Sequence, residues 1–182
     1  KLDLSLPRYT YPHIGSALTT VVWAFPRLKM LCVDHITFKT DEFLAFANTI
    51  TSSQHGMRAL ESLTELHCNF CEIGDAGMSA LANALGKGAL ASLETLSLYG
   101  NQIGNIGLTP LAEACANGAL AQCTFIDVGG NQIGDSGVSA LAGAPSKGPL
   151  ARCTQLALGS DTIGDAGTTP RAEATSKGRR PR

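Results

Sequence analysis

Aromatic residues are scarce in this 182-residue chain, at 5%, and charged residues are few, at 16%. Hydrophobic residues reach 44%, so most of the apolar content falls to Leu and Ala, which suits small side chains packed in thin layers. A surplus of one charge is missing too. The formal net charge of −1 gives no electrostatic reason to expect nucleic acid or an anionic membrane as a partner. There is no run of about 18 or more apolar residues, so no helix is expected to span a bilayer. The nearest approach, Ile14 to Val33, is broken by Pro26, Arg27 and Lys29 and has no basic start before a clean apolar block, so it is not read as a leader or anchor. The chain opens on Lys1 rather than Met, which leaves an upstream segment open.

What the chain has is repetition. Asn101-Gln-Ile-Gly-Asn-Ile-Gly recurs as Asn131-Gln-Ile-Gly-Asp-Ser-Gly and Asp161-Thr-Ile-Gly-Asp-Ala-Gly, after an earlier Cys71-Glu-Ile-Gly-Asp-Ala-Gly, always 30 residues apart. A strand-like pattern precedes each copy at the same spacing: Leu63-x-x-Leu66-x-Cys68, Leu93-x-x-Leu96-x-Leu98, Cys123-x-x-Ile126-x-Val128 and Cys153-x-x-Leu156-x-Leu158. Upstream, Val33-x-x-Ile36-x-Phe38 reads as a weaker fifth copy, and Leu2, Leu4 and Leu6 alternate as a strand would.

After each strand the period changes from 2 toward 3.6. Leu81 and Leu85 fall four apart on one helical face, and Leu111 with Cys115, then Leu141 with Pro145, fill the same slots. Asp75, Asn105, Asp135 and Asp165 stand where a short acceptor would cap the helix that follows. Gly88, Gly118, Gly148 and Gly178 stand where it must stop. One such unit cannot bury its own apolar face, whereas stacked units share a core worth roughly 1.5–3 kcal/mol per large aliphatic side chain.

The pattern L-x-x-L-x-L-x-x-N/C-x-I-G-x-x-G-x-x-x-L resembles the ribonuclease-inhibitor class of leucine-rich repeats, a class found also in NOD-like receptors and Ran GTPase-activating proteins. The resemblance covers about residues 33–182. It implies an α/β solenoid, a horseshoe with a parallel strand wall inside and helices outside. Residues 1–32 are then a degenerate N-terminal repeat or cap region, and residues 33–182 an array of about five 30-residue repeats, the last degenerate. Asn101 and Asn131 match the family's asparagine ladder, which hydrogen-bonds loop backbone, while Asp161 and Asp41 lack the amide donor. Arg171 replaces the Leu of earlier repeats, as does Arg180, and Pro145 falls late in an expected helix. Order is therefore expected to fall toward the C-terminus. Pro110 and Pro170 are expected in a first helical turn, where proline is tolerated.

The six cysteines fit this register better than a disulfide scaffold. Cys68-x-x-Cys71 could hold half a zinc site, with His67 or His35 nearby, but no second such pair exists. Cys68 matches Leu98, and Cys71 matches Asn101, where the family itself often uses Cys. Cys123 and Cys153 replace Leu93, and Cys115 lies on a core face. Buried thiols, no metal, no cofactor and a cytoplasmic, reducing location are expected. Gly129-Gly130 and the Ile-Gly-x-x-Gly segments lack the G-x-x-x-x-G-K-[ST] arrangement of a phosphate loop. No nucleophile–base order stands out, so no enzyme is expected. The basic end, Lys177 to Arg182, reads as a frayed end ahead of a localisation signal.

Between the core leucines, the 30-residue register aligns outward residues into columns. One is His35, Glu65, Thr95, Phe125 and Gln155. The next is Thr37, His67, Ser97, Asp127 and Ala157, and a third is Lys39, Asn69, Tyr99, Gly129 and Gly159. Exposed aromatics with a polar surround make good interface anchors, so Glu65, His67, Asn69, Thr95, Tyr99, Phe125 and Asp127 are the candidate partner-binding residues. The expected function is a non-catalytic protein–protein interaction scaffold that binds another protein on its concave strand face, as a monomer or as part of a longer chain. The alternative is a regulatory module of a longer protein, GTPase-activating or a NOD-like sensor. The first would need an arginine at the strand ends, where this chain has Gln102, Gln132 and Thr162.

Overall fold

The L-x-x-L-x-L segments form short strands because alternate residues must point into a shared core, and the segments after Ile-Gly-x-x-Gly form helices because their apolar residues recur at i, i+3, i+4 and i+7. The structure, a computed structural model, describes residues 1–3, 14–25, 27–54, 57–58, 60–143, 152–159 and 163–164. Its elements run β1 (Leu2–Asp3), α1 (Ile14–Ala24), β2 (Met30–Cys32), α2 (Thr40–Thr51), β3 (Ser53–Gln54), β4 (Met57–Arg58), β5 (Glu65–His67), α3 (Gly74–Gly86), β6 (Thr95–Ser97), α4 (Asn105–Ala116), β7 (Phe125–Asp127), α5 (Asp135–Gly143) and β8 (Gln155–Ala157). Six strands form one parallel sheet in the order β1-β2-β5-β6-β7-β8, and β3 pairs with β4 in a small antiparallel hairpin. Successive helices pack side by side, α1 on α2 through to α4 on α5. Strands sit about 4.8 Å apart and helices about 10 Å apart, so the stack bends with the strand wall inside. The fold is thus the expected leucine-rich-repeat solenoid.

The core is one continuous stack. Leu31, Leu66, Leu96 and Ile126 point inward from consecutive strands, and all are buried. Met78, Leu81, Ala82 and Leu85 meet them from α3, and Leu108, Leu111, Ala112 and Cys115 from α4. Asn101 and Asn131 are buried among these apolar groups and are fully engaged. The Asn101 carboxamide oxygen accepts from the backbone N–H of Cys71 at 2.9 Å, and its nitrogen donates to the Cys68 carbonyl at 2.6 Å. Asn131 repeats the pattern one step on, accepting from Asn101 at 2.8 Å and donating to Leu98 and Val128 at 3.1 and 2.7 Å. Each amide thus ties its own turn to the turn before it.

The upstream register differs from expectation. The strand of the first clear repeat is Met30–Cys32, with Met30 opposite Glu65 and Cys32 opposite His67, a spacing of 35 residues. Val33, Ile36 and Phe38 are buried, but they follow that strand rather than form it. The extra residues lie behind the helix: thirteen separate α2 from β5, where eight separate α3 from β6. The β3–β4 hairpin takes up the excess. Counting back 30 residues from Leu63 therefore lands on Val33 rather than Leu28, and the apolar spacing of Val33, Ile36 and Phe38 imitates a strand start. Leu2 does pair, opposite Leu31, while Leu4 and Leu6 lie outside the described residues.

Two helix details also correct the sequence reading. Asp75, Asn105 and Asp135 lie within the first turn of their own helices and cap the next repeat instead. The Asp75 carboxylate accepts from Gly104 and Gly107 N–H at 2.7 and 2.9 Å, Asn105 accepts from Gly134 and Gly137 at 2.9 and 3.0 Å, and Asp135 accepts from Gly164 at 2.8 Å. A repeat stacked alongside brings those N–H groups closer to the acceptor than its own helix can, and the glycines leave the approach open. Pro110 is inside α4, not in its first turn. The carbonyl that loses its helical donor is that of Ile106, at the solvent-exposed start of the helix, where water can replace the bond.

The helix stops follow expectation at two places. Gly88 and Gly118 have φ of 82° and 101°, and the N–H groups of Gly88 and Ala89 turn back to the Leu85 and Ala84 carbonyls at 2.9 and 3.1 Å. Gly148, Gly178, Pro145, Asp161, Thr162, Asp165, Pro170, Arg171, Arg180 and the basic end lie outside the described residues.

Candidate functional site

Parallel pairing without a slip carries each outward residue of β5 across the wall. Glu65, Thr95, Phe125 and Gln155 stand in register, as do His67, Ser97, Asp127 and Ala157. Beyond the strand ends, the N–H groups of Phe70, Gly100 and Gly130 bond to the carbonyls of Tyr99, Gly129 and Gly159, which aligns Asn69, Tyr99, Gly129 and Gly159. The columns starting at β5 are therefore as the sequence reads. Their upstream members are not: Met30, Cys32 and Asp34 hold the places assigned to His35, Thr37 and Lys39, because of the longer first repeat.

The seven candidate residues fall into two groups. Glu65, Thr95 and Phe125 are half-buried on the wall, and Glu65 lies 3.5 Å from His67, with side chains 39% and 27% exposed. Asn69, Tyr99 and Asp127 also serve the scaffold. Asn69 Oδ1 accepts from the Ser97 hydroxyl and the Tyr99 N–H, both at 2.8 Å, while its own N–H donates to Asp34 at 2.7 Å. Asp127 Oδ1 accepts from the Gly129 N–H at 2.9 Å, which holds the carboxylate against its own turn. Ser97 is buried and offers little to a partner.

Sequence reasoning missed a ridge of rings along one edge of the wall. His35 stacks on Phe70 with centroids 4.9 Å apart, and Phe70 meets Tyr99 edge-on at 5.3 Å. Phe70 is 40% exposed. His35 and Phe70 take the left-handed conformation, with φ of 63° and 55°, at the position held by Gly100 and Gly130 later in the array. Glycine there lets the rings lie flat on the following turn. A methyl group at Gly100 would fall 2.7 Å from the Phe70 ring, and one at Gly130 would fall 2.7 Å from that of Tyr99. The readable signal was an exposed aromatic standing where other repeats place glycine.

Five of the six cysteines are buried and all six are free thiols. Cys71 donates its thiol to the Val33 and Asn69 carbonyls at 3.2 and 3.3 Å, doing part of the work that Asn101 does one repeat later. Burial pushes the thiols of Cys71, Cys115 and Cys123 up to about 12, and burial followed by the neighbouring Cys71 raises Cys68 well above its usual range. Among the described residues, no three His, Cys, Asp or Glu side chains are grouped as a metal site needs. No helix among them is long and apolar enough to cross a membrane.

The leucine-rich-repeat family model matches residues 59–82, 89–112 and 124–142. Two solved structures share the fold across nearly the whole chain. The leiomodin-1 actin-binding site 2 is 15% identical with a TM-score of 0.65, covering 92% of this chain and 89% of its own. The tropomodulin C-terminal domain of Caenorhabditis elegans is 10% identical with a TM-score of 0.67, covering 91% and 93% respectively. No curated protein matches the sequence.

Proposed function

We propose that this chain, built of leucine-rich repeats of the ribonuclease-inhibitor type, is a non-catalytic scaffold that holds another protein against its concave strand wall. One observation carries the reading. The inward residues of β2, β5, β6 and β7 are buried, while the outward ones, Glu65, His67, Thr95, Phe125 and Asp127, form straight columns of half-exposed polar and aromatic groups. Such a surface costs little to order on binding, because packed strands already fix the positions of its side chains. Tyr99 and Phe125 act as anchors and Glu65, His67 and Asp127 as the polar surround. Asn69 contributes by holding Tyr99 in place. Thiols buried this deeply suit a reducing, cytoplasmic setting.

The test is affinity capture from native lysate with three forms of the protein: the unaltered chain, a Glu65→Ala/Tyr99→Ala/Phe125→Ala form, and an Ile106→Glu form. Ile106 is 76% exposed on the helical side and probes the opposite face. Circular dichroism first establishes equal folding, which matters because Tyr99 also packs on Phe70. A protein retained by the first and third forms and lost by the second supports the strand wall. Loss with Ile106→Glu alone moves the site to the helices. The leiomodin-1 domain that shares this fold is an actin-binding site, so purified actin is a defined partner to include.

A further inference from the structure

The aromatic ridge breaks off abruptly. His35, Phe70 and Tyr99 follow one another along the strand ends, but the next places belong to Gly129 and Gly159. The Tyr99 ring covers Gly130, whereas a methyl group added at Gly159 would meet nothing within 4 Å among the described residues. Gly129 itself is buried against the Gly159 backbone, and a carboxylate lies beside it: Asp127 Oδ1 is 3.2 Å from where a Gly129 methyl would stand, and the Gly129 N–H holds it there. Phe125 projects from the same side of β7, two residues before Asp127. The charge of the wall is one-sided as well. Asp34, Glu65, Glu94 and Asp127 line it and its entering edge against Lys29, although the whole chain is close to neutral at −1.

We infer that the place over Gly159 takes an arginine side chain from a basic segment of the partner protein, its guanidinium extending the row of rings beyond Tyr99 and pairing with Asp127. A flat cation is what the place selects. The guanidinium lies face-on to an aromatic ring while donating in its own plane to a carboxylate, and a lysine ammonium cannot do both. The exposed Gly159 lets it approach the backbone, where the Gly159 carbonyl already accepts from Gly130. The inference rests on the strand wall being the binding face, and the two are tested separately.

The probe is N-acetyl-arginine N-methylamide, titrated into the isotopically labelled full chain and followed by amide NMR, with the uncharged citrulline analogue as control. Saturable shifts at Gly129, Gly130 and Gly159 with arginine and not with citrulline are expected. Asp127→Asn should weaken the response by about tenfold or more, since a charge-assisted pair is lost. Gly159→Val should abolish it without disturbing the fold, because an added side chain there meets none of the described residues. Equal shifts with citrulline, no saturable shift, or an unchanged response in Asp127→Asn would each overturn the inference. Capture that survives Gly159→Val but not the triple substitution would leave the strand wall standing as the binding face and remove the arginine from it.

Discussion

Burial holds the thiols of Cys71, Cys115 and Cys123 protonated up to about 12, against an ordinary value of 9.0. The consequence for stability has a definite sign. Below pH 9 both folded and unfolded thiols keep their protons, so their contribution is fully present. Between about 9 and 12 the unfolded chain releases protons that the folded chain retains, and stability falls as pH rises through that window. The urea midpoint under reducing conditions should therefore drop between pH 7.5 and pH 10, and Cys123→Val should flatten the drop. An identical midpoint at both values would mean that the thiols are not shielded. Most of this was legible, because the repeat register puts Cys68, Cys115, Cys123 and Cys153 in leucine or helix-core slots. What could not be read is that Cys71 acts as a hydrogen-bond donor in the asparagine column, since its acceptor, the Val33 carbonyl, lies 38 residues away.

At the scale of elements, each helix start is held by the repeat before it. The oxygen of Asp75 bonds two N–H groups at the start of α4, as Asn105 does for α5. Asp75→Ala should cost about 1 kcal/mol, the usual worth of a helix N-cap. The loss should appear as faster amide exchange at Gly104 and Gly107, in the neighbouring repeat, rather than in α3. Asp75→Asn should cost much less, because Asn105 fills the same role naturally. Exchange rising in α3 alone would show that the acceptor serves its own helix. The sequence offered the right residues with the wrong partner, because capping rules describe contacts along one chain segment and this contact spans two stacked ones. The first repeat misled for a related reason. A five-residue excess after α2 leaves the local apolar pattern intact and shifts only what it stands beside.

Across the whole molecule the core is one cluster running from Leu18 to Leu158, with no break between repeats among the described residues. Each repeat buries its apolar face only on its neighbours, so a cavity in the middle should weaken the ends. Leu96 is fully buried on the central strand β6. Leu96→Ala should destabilise the fold by about 2–5 kcal/mol, the usual range for a core leucine. Trp23, the single tryptophan, lies in α1 at the far end, so its fluorescence reports on distant structure. Fluorescence and far-ultraviolet circular dichroism should shift together in urea. If dichroism alone moves, the array unfolds piecewise and the middle does not support the N-terminal repeats.

The amino-acid order alone determined the repeat, its strands and helices, the buried leucines and the outward columns from Glu65 onward. All of these depend on spacing within one unit and on a constant 30-residue step, which can be counted. Only the stacked structure decided where the first strand lies, which repeat each capping acceptor serves, and that His35, Phe70 and Tyr99 form a ridge ending over bare glycine. Those features join residues 28 or more positions apart, and their partners exist only once one repeat lies against the next.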